Sequence, residues 1–305
     1  MALLGIHEAD PVGAAQRGLS FILAGQSADG AWRDFTLPVG QSDAWVSAFV
    51  GAQVACCSDD AWQAAQRAAD WLRANRRSDG WGYNGSVEPD ADSTAWAALL
   101  FASLGREPAP GVLGILIRHQ HEDGGISTYR SADGWGLAHA CVTAATARAL
   151  AVLGAREDAR RARRWLRAAR PTGMGWSGYW WASAFYPTMV ALDALADEGL
   201  EGEEHALLSA SNLGSIRSIV DLACALKMLS VSAPGHPLVG ELVASLCTYQ
   251  CSDGSWPASQ CLRVTHHCER AVQDGDRRGR IYSDHRRLFG TALAVGALVE
   301  AGRGA

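Results

Sequence analysis

The chain has 305 residues, of which 48% are hydrophobic and 19% charged, with a formal net charge of −5. That length supports one large domain or two small ones around a sizeable core, and the mild acidity gives no reason to expect nucleic-acid binding. The start MALLGIHEADPVG shows no basic stretch ahead of an apolar one, no run approaches 18 apolar residues, and eight cysteines are too few for a disulfide scaffold. The expectation is a reduced, cytoplasmic chain with no signal peptide and no transmembrane segment.

In chain order, an outer helix is predicted over 13–25, closed by the turn QSADGAW (Gln26 to Trp32), and an inner helix over 43–56. The same unit recurs. An outer helix at 60–75 and the turn RRSDGWG lead to an inner helix at 92–105. Outer 110–120 and HQHEDGG lead to inner 137–154, and outer 156–169 and RPTGMGW to inner 187–198. A pair without the turn signature follows, outer 203–211 and inner 215–231. Outer 236–250 and YQCSDGSW then lead to inner 285–302. The marker glycines Gly30, Gly80, Gly124, Gly175 and Gly254 are 50, 44, 51 and 79 residues apart, a period in the range of repeat architectures. Helices before the turns carry one charged face and those after them almost no charge, so the first kind lies outside and the second is buried on all sides. The expected fold is all-α: a single α/α toroid over residues 1–305, six inner helices ringed by six outer ones, with no strand. Start signals at Ser42-Asp43, Asp90 to Thr94, Pro187, Ser215 and Ser283-Asp284 gather the inner N-termini at one mouth. Chemistry belongs there, because helix N-termini bring partial positive charge and unpaired N–H groups.

The Gln-x3-Gly-x-Trp turns resemble the QW motifs of squalene–hopene cyclases and class II diterpene cyclases, whose barrel is also that of the protein prenyltransferase β subunit. The likeness spans Ala15 to Leu298. Within it, Glu88-Pro-Asp-Ala-Asp-Ser-Thr-Ala-Trp96 is similar to the D-x-D-D-T-A motif of class II cyclases. The resemblance implies that Asp92 protonates an alkene or epoxide and starts a carbocation cascade, with Asp90 as its partner. Ser93 stands where the family has its fourth Asp. A carboxyl at a helix N-terminus is ordinarily held ionised, so an acid there needs desolvation and a neighbouring carboxylate. The alternative is that Asp90, Asp92 and Ser93 only cap the helix.

In squalene–hopene cyclases the next inner helix carries D-V-T-x-H, whose His supports the acid. Here the stretch reads Cys141-Val142-Thr143-Ala144-Ala145, and His139 is the candidate replacement, set against the role of a core histidine. Aromatic residues cluster at the expected mouth as candidate substrate-lining groups: Trp45, Trp96, Trp135, the run Tyr179-Trp180-Trp181, Phe185, Tyr186 and Phe289. Their π faces stabilise cations without quenching them, whereas the turn tryptophans staple helices. Arg130, Arg217, His285, Arg286 and Arg287 are candidates to hold an anionic group such as a diphosphate, with His285 and Arg286 preferred over Arg287.

No metal or other cofactor is expected. The zinc ligands of protein prenyltransferases are replaced here by Asp221 and Cys224 at the wrong spacing and by Phe289-Gly290 on the last helix. Cys247, Cys251, Cys261, His266, His267 and Cys268 offer ligand types without paired C-x-x-C spacing. The expected function is class II terpene cyclase-like: protonation-initiated cyclisation of a hydrophobic polyene or isoprenoid in secondary metabolism. Two other readings stay open, an enzyme of the same fold doing acid–base chemistry on a non-terpenoid substrate, and a non-catalytic toroid holding a hydrophobic ligand or partner. Larger cyclases set their cavity against a second barrel, so the site here lies inside this one or is completed by a second protein subunit.

Overall fold

A computed structural model of the chain describes residues 10–170, 175–196, 214–271 and 278–303. It is helix-rich. Outer helices are α1 (Pro11–Ala24), α3 (Asp59–Ala74), α5 (Val112–Arg118), α7 (Arg156–Ala168) and α10 (Pro237–Tyr249). Inner helices are α2 (Ala44–Val54), α4 (Ala91–Ser103), α6 (Ala140–Val152), α8 (Phe185–Leu195), α9 (Ile219–Ser232) and α11 (Leu288–Arg303). The expected outer segment 203–211 lies outside the described residues.

The contrast between the two sets follows from composition. In α3 the buried positions are Ala61, Ala64, Ala65, Ala68, Ala69 and Leu72, one stripe at helical spacing, while its remaining positions are largely polar. In α4 every residue from Ser93 to Phe101 is buried, as a charge-free helix enclosed on all sides requires. Contacts among inner helices run from α2 to α4, α6, α8, α9 and α11, and α11 returns to α2.

The repeated turns act as staples. The Trp32, Trp81, Trp176 and Trp256 indole N–H groups each donate at 2.8 Å to a carbonyl near the end of the preceding outer helix. These rings are almost fully buried; at roughly 150–250 Å² each and about 25 cal/mol per Å², burial of each ring contributes on the order of 4–6 kcal/mol before entropy. The turn glutamine reaches sideways. Gln26 donates to Ala64 O on α3, Gln120 to Asp158 O on α7, and Gln250 to Ala14 O on α1, the last bond joining the final outer helix to the first. Each of these turns needs a glycine with positive φ. At Gly30 (φ 96°) a Cβ would meet the Arg67 carbonyl oxygen at 2.8 Å, so the neighbouring helix packs directly on turn backbone. Inner-helix hydroxyls fasten the other side: Ser47, Thr94, Thr143 and Thr291 accept from the turn N–H groups of Trp32, Trp81, Ile126 and Trp256.

One expectation needs correction. The chain contains strands, as two short antiparallel pairs: β1 (Asp34–Leu37) with β2 (Gly40–Ser42), and β3 (Gln260–Val264) with β4 (Arg280–Ser283). Both lie in connections that lead into inner helices, and both supply residues to the cavity described below. They were missed because they are three to five residues long, too short for an alternating pattern to stand out. The Pro38-Val39-Gly40 turn was the available signal.

Candidate active site

A cavity of about 430 Å³ opens among the N-terminal ends of α2, α4 and α6 and the two strand pairs. Trp45, Asp92, Ser93 and Cys141 line it from the helices. Leu37, Pro38 and Val39 come from the β1–β2 hairpin, and Leu262 and Val264 from β3. Tyr83, Glu88, Asp90, Thr128, Tyr129, Trp135, Trp180 and Trp181 come from the intervening loops. The lining is dominated by aromatic and aliphatic side chains with few polar groups, the usual character of a small-molecule site.

The two aspartates of the motif have different surroundings. Asp90 is the N-cap of α4: its Oδ1 accepts from Ser93 N–H at 2.7 Å and its Oδ2 from Ser93 Oγ–H at 2.8 Å. Burial pushes its pKa up to about 7, against these hydrogen bonds, which lower it. Asp92 lies two residues on, within the first turn of α4, and does not cap. Its carboxyl opens onto the cavity, which is why the residue keeps partial exposure while protein surrounds the group. Desolvation raises its pKa well above the ordinary carboxylate value, and the Asp90 charge adds to the rise. The nearby Trp45 indole N–H opposes the shift but closes no hydrogen bond of normal geometry. Capping therefore accounts for Asp90 and Ser93 and leaves Asp92 unexplained. Burial and the neighbouring Asp90 carboxyl both push Asp92 toward its neutral form, and it is aimed into an apolar space.

Of the expected aromatic residues, Trp45, Trp135, Trp180 and Trp181 line the cavity, and Trp180 is fixed by its N–H to Thr128 Oγ1 at 2.8 Å. Trp96, Tyr186 and Phe289 do not line it and pack behind. Tyr186 stacks on Trp181 at 3.7 Å, Phe289 on Trp45 at 5.5 Å and on Phe49 at 4.2 Å, and Trp96 meets Phe49 edge-on at 4.7 Å. These rings hold Trp45 and Trp181 in place. Residues that the sequence reading passed over include Tyr83 and Tyr129, both in loops with no helical pattern to mark them.

His139 is buried away from the lining: it stacks on Tyr179 at 3.9 Å and its Nε2 lies 3.1 Å from Gly134 O. Burial lowers its pKa to about 4, so it is a neutral packing residue here and has no contact with Asp92. The expected anion holders also fall outside the cavity. The half-exposed His285 sits 3.4 Å from Thr36 Oγ1 and from Gln41 Nε2, Arg286 is exposed, and Arg287 pairs with Asp253 at 2.9 Å. Cys247 and Cys251 are not grouped with the other candidate ligands, and Cys261 is buried in β3; only His266, His267 and Cys268 bring ligand atoms within 4.8 Å of one another. Among the described residues, no helix is long and apolar enough to cross a membrane.

No protein-family model matches the chain, and no curated protein sequence does. Solved structures do. The type II terpene cyclase MstE from Scytonema, in its apo form, is 26% identical with a TM-score of 0.84, covering 97% of this chain and 98% of that one. A variant of MstE has been solved with geranylgeranyl dihydroxybenzoate as substrate, and another with merosterolic acid A as product. With the apolar cavity that Asp92 faces, this likeness defines a class II terpene cyclase-like enzyme. A protein from Actinoplanes is 31% identical, with a TM-score of 0.83, over 96% of this chain and 100% of its own. This chain belongs to the same family as that protein.

Proposed function

We infer that the protein cyclises a hydrophobic polyene or isoprenoid by protonation at Asp92, within one domain formed as a toroid of six inner and six outer helices. The observation that carries this reading is the placement of Asp92: desolvated, beside the carboxyl of Asp90, and open to an aromatic-walled cavity. Asp90, held by both Ser93 donors, takes the larger share of negative charge of the pair, which leaves the transferable proton on Asp92.

In the proposed reaction, the Asp92 O–H bond breaks as its proton goes to one alkene or epoxide terminus of the folded chain. The electron pair of the next double bond then closes the ring. Trp45, Trp180, Trp181 and Tyr129 present π faces to the positive charge as it moves, and the dry walls keep water from trapping it early. A base, or water at the mouth, takes the final proton. The chemistry of the cavity calls for no cofactor, and its mouth needs no second subunit to supply the acid. MstE, whose cavity takes a prenylated aromatic substrate, supports a prenylated compound here as well.

The test is turnover of linear isoprenoids and prenylated aromatics by the purified chain and by Asp92→Asn. Cyclic products from the first and none from the second are expected. Near-normal turnover by Asp92→Asn would remove the proposed acid.

A further inference from the structure

The segment that follows β3 is drawn onto the loop that carries Trp135. Gly134 N–H donates to His267 O at 2.8 Å, and the Tyr179 hydroxyl donates to Glu269 O at 2.6 Å. A Cβ at Gly134 would overlap the Glu269 carbonyl, so only glycine lets the two backbones meet there. Each side of this seam leads into the cavity wall, through Val264 at the end of β3 and through Trp135.

Along the seam, three consecutive exposed side chains, His266, His267 and Cys268, bring ligand atoms within 4.8 Å of one another. A turn closed by Glu269 N–H to His266 O at 3.0 Å gathers side chains that an extended strand would send to alternate faces. His267 Nδ1 sits between two further donors: Cys268 Sγ lies 3.7 Å away, and Asp133 Oδ2 lies 3.1 Å away from across the seam. Around tetrahedral zinc, with bonds of about 2.3 Å to sulfur and about 2.0–2.2 Å to nitrogen and oxygen, neighbouring ligand atoms lie roughly 3.3–3.6 Å apart. Both spacings fall close to that range. Asp133 Oδ1 already accepts from Ser131 Oγ–H at 2.6 Å and Trp135 N–H at 3.0 Å, so Oδ2 is the oxygen turned to the cluster. Two imidazoles, a thiol and one carboxylate suit a borderline-soft divalent ion and not magnesium or calcium. No spacing along the chain marks this set, because Asp133 comes from a different repeat.

We propose that His266, His267 and Cys268, completed by Asp133, bind one zinc ion that clamps the segment after β3 to the Trp135 loop. The Cys268 thiol proton passes to solvent as the sulfur binds. The ion takes the place of the His267–Asp133 contact and of the long bond, 3.3 Å, from Cys268 N–H to His266 Nδ1. Its role is to hold two parts of the cavity wall together, apart from the proton transfer at Asp92.

Untagged full-length protein, stripped with a chelator, is titrated with zinc against a chromophoric competitor and with cobalt(II) as a spectroscopic probe. Wild type should take up one zinc per chain, with no competition from magnesium. Its cobalt form should show the strong visible bands of a tetrahedral site and a thiolate charge-transfer band. Cys268→Ser should lose that band, and His267→Ala and Asp133→Asn should each weaken zinc binding at least about tenfold. Cys56→Ser, which removes the other exposed cysteine, should change nothing. Because all three cluster side chains are exposed, the variants should keep wild-type circular dichroism. Zinc should also slow amide exchange at Gly134 in wild type and leave it unchanged in Cys268→Ser. Failure to retain zinc, an octahedral cobalt spectrum, a charge-transfer band that survives Cys268→Ser, or unchanged affinity in Asp133→Asn would overturn the assignment. Zinc binding without protection of Gly134 would overturn the clamp. None of these readouts uses a substrate, so they stand or fall separately from the cyclisation reading.

Discussion

The molecule contains two clusters of buried aspartates at inner-helix N-termini, and they differ in how far their oxygens are satisfied. Behind the cavity, Asp34 is fully buried and accepts from the backbone N–H groups of Phe35, Arg286, Leu288 and Phe289 at 2.8–3.2 Å. Asp284 is likewise buried and accepts from Ser259 and Gly290. These carboxyls supply from side chains the acceptors that the first turn of α11 lacks. At the cavity, Asp90 does the same for α4, while Asp92 has no backbone donor among the described residues and faces the cavity. Burial raises the pKa of all four, to about 7 at Asp90 and about 8 at Asp284. Burial and pKa therefore do not distinguish structure from chemistry. The distinguishing feature is an oxygen left without protein partners where a substrate can reach it.

Replacing one member of each cluster tests that comparison most sharply. Asp92→Asn keeps the shape and removes the transferable proton. Turnover should fall by at least about 10²–10⁴-fold, the usual contribution of general acid catalysis, with a thermal midpoint close to wild type. Asp34→Ala should do the opposite. It strands three N–H groups at the start of α11 and that of Phe35 on β1, and should cost on the order of 3 kcal/mol in a denaturant titration, with near-normal turnover per folded molecule. If Asp34→Ala is as inactive as Asp92→Asn while still folded, the division between the clusters fails.

The pH dependence should come next in size. The proposed mechanism uses the proton on the Asp90–Asp92 pair, so it predicts that kcat declines as pH rises through the pair's titration, with Asp90 pushed up to about 7, and is retained below it. Stability should move the same way. A carboxyl whose folded pKa lies above its unfolded value holds more protons when folded, so its favourable contribution is complete below about pH 4 and is lost as pH climbs through the folded value. For Asp284 that window runs from about pH 4 to about 8. Asp284→Asn should flatten the fall in stability across it, as followed by thermal melts at several pH values.

The smallest effect expected is that of Ser93→Ala. It removes one donor to Asp90 and should cost about 1 kcal/mol of stability with a modest drop in turnover and a shifted pH profile. A collapse as deep as that of Asp92→Asn would mean that Ser93 takes part in the chemistry directly.

Much of the helical arrangement is legible in the sequence because its causes are local. Charge on one face or on none separates outer from inner helices, and the expected helices at 60–75 and 92–105 correspond to Asp59–Ala74 and Ala91–Ser103. The turn residues are legible for the same reason: the turn tryptophan makes the same bond in four turns and the turn glutamine the same bond in three. The candidate acid could be placed from the motif, since a helix start and two aspartates two residues apart are sequence features. Nothing local separated Trp45 from Trp96 or Trp181 from Tyr186, because every side of an inner helix is apolar. His139 misled for that reason: its position one helix on from the acid suggested contact, whereas its ring turns toward Tyr179.

The sequence by itself determined the helix-pair repeat, the inside and outside of each pair, and the aspartates that begin α4. Hydrophobic periodicity, capping and turn chemistry act over fewer than about ten residues, so they can be read along the chain. Tertiary structure alone decided which rings wall the cavity and which pack behind them, because that depends on how neighbouring inner helices rotate against each other. It also decided that two short strand pairs supply part of the cavity wall, since each pairs segments through backbone bonds that no side-chain pattern records. The difference between Asp90 and Asp92 lies there as well: both carboxyls sit at the start of one helix, and only their surroundings in space make one a cap and leave the other facing the cavity.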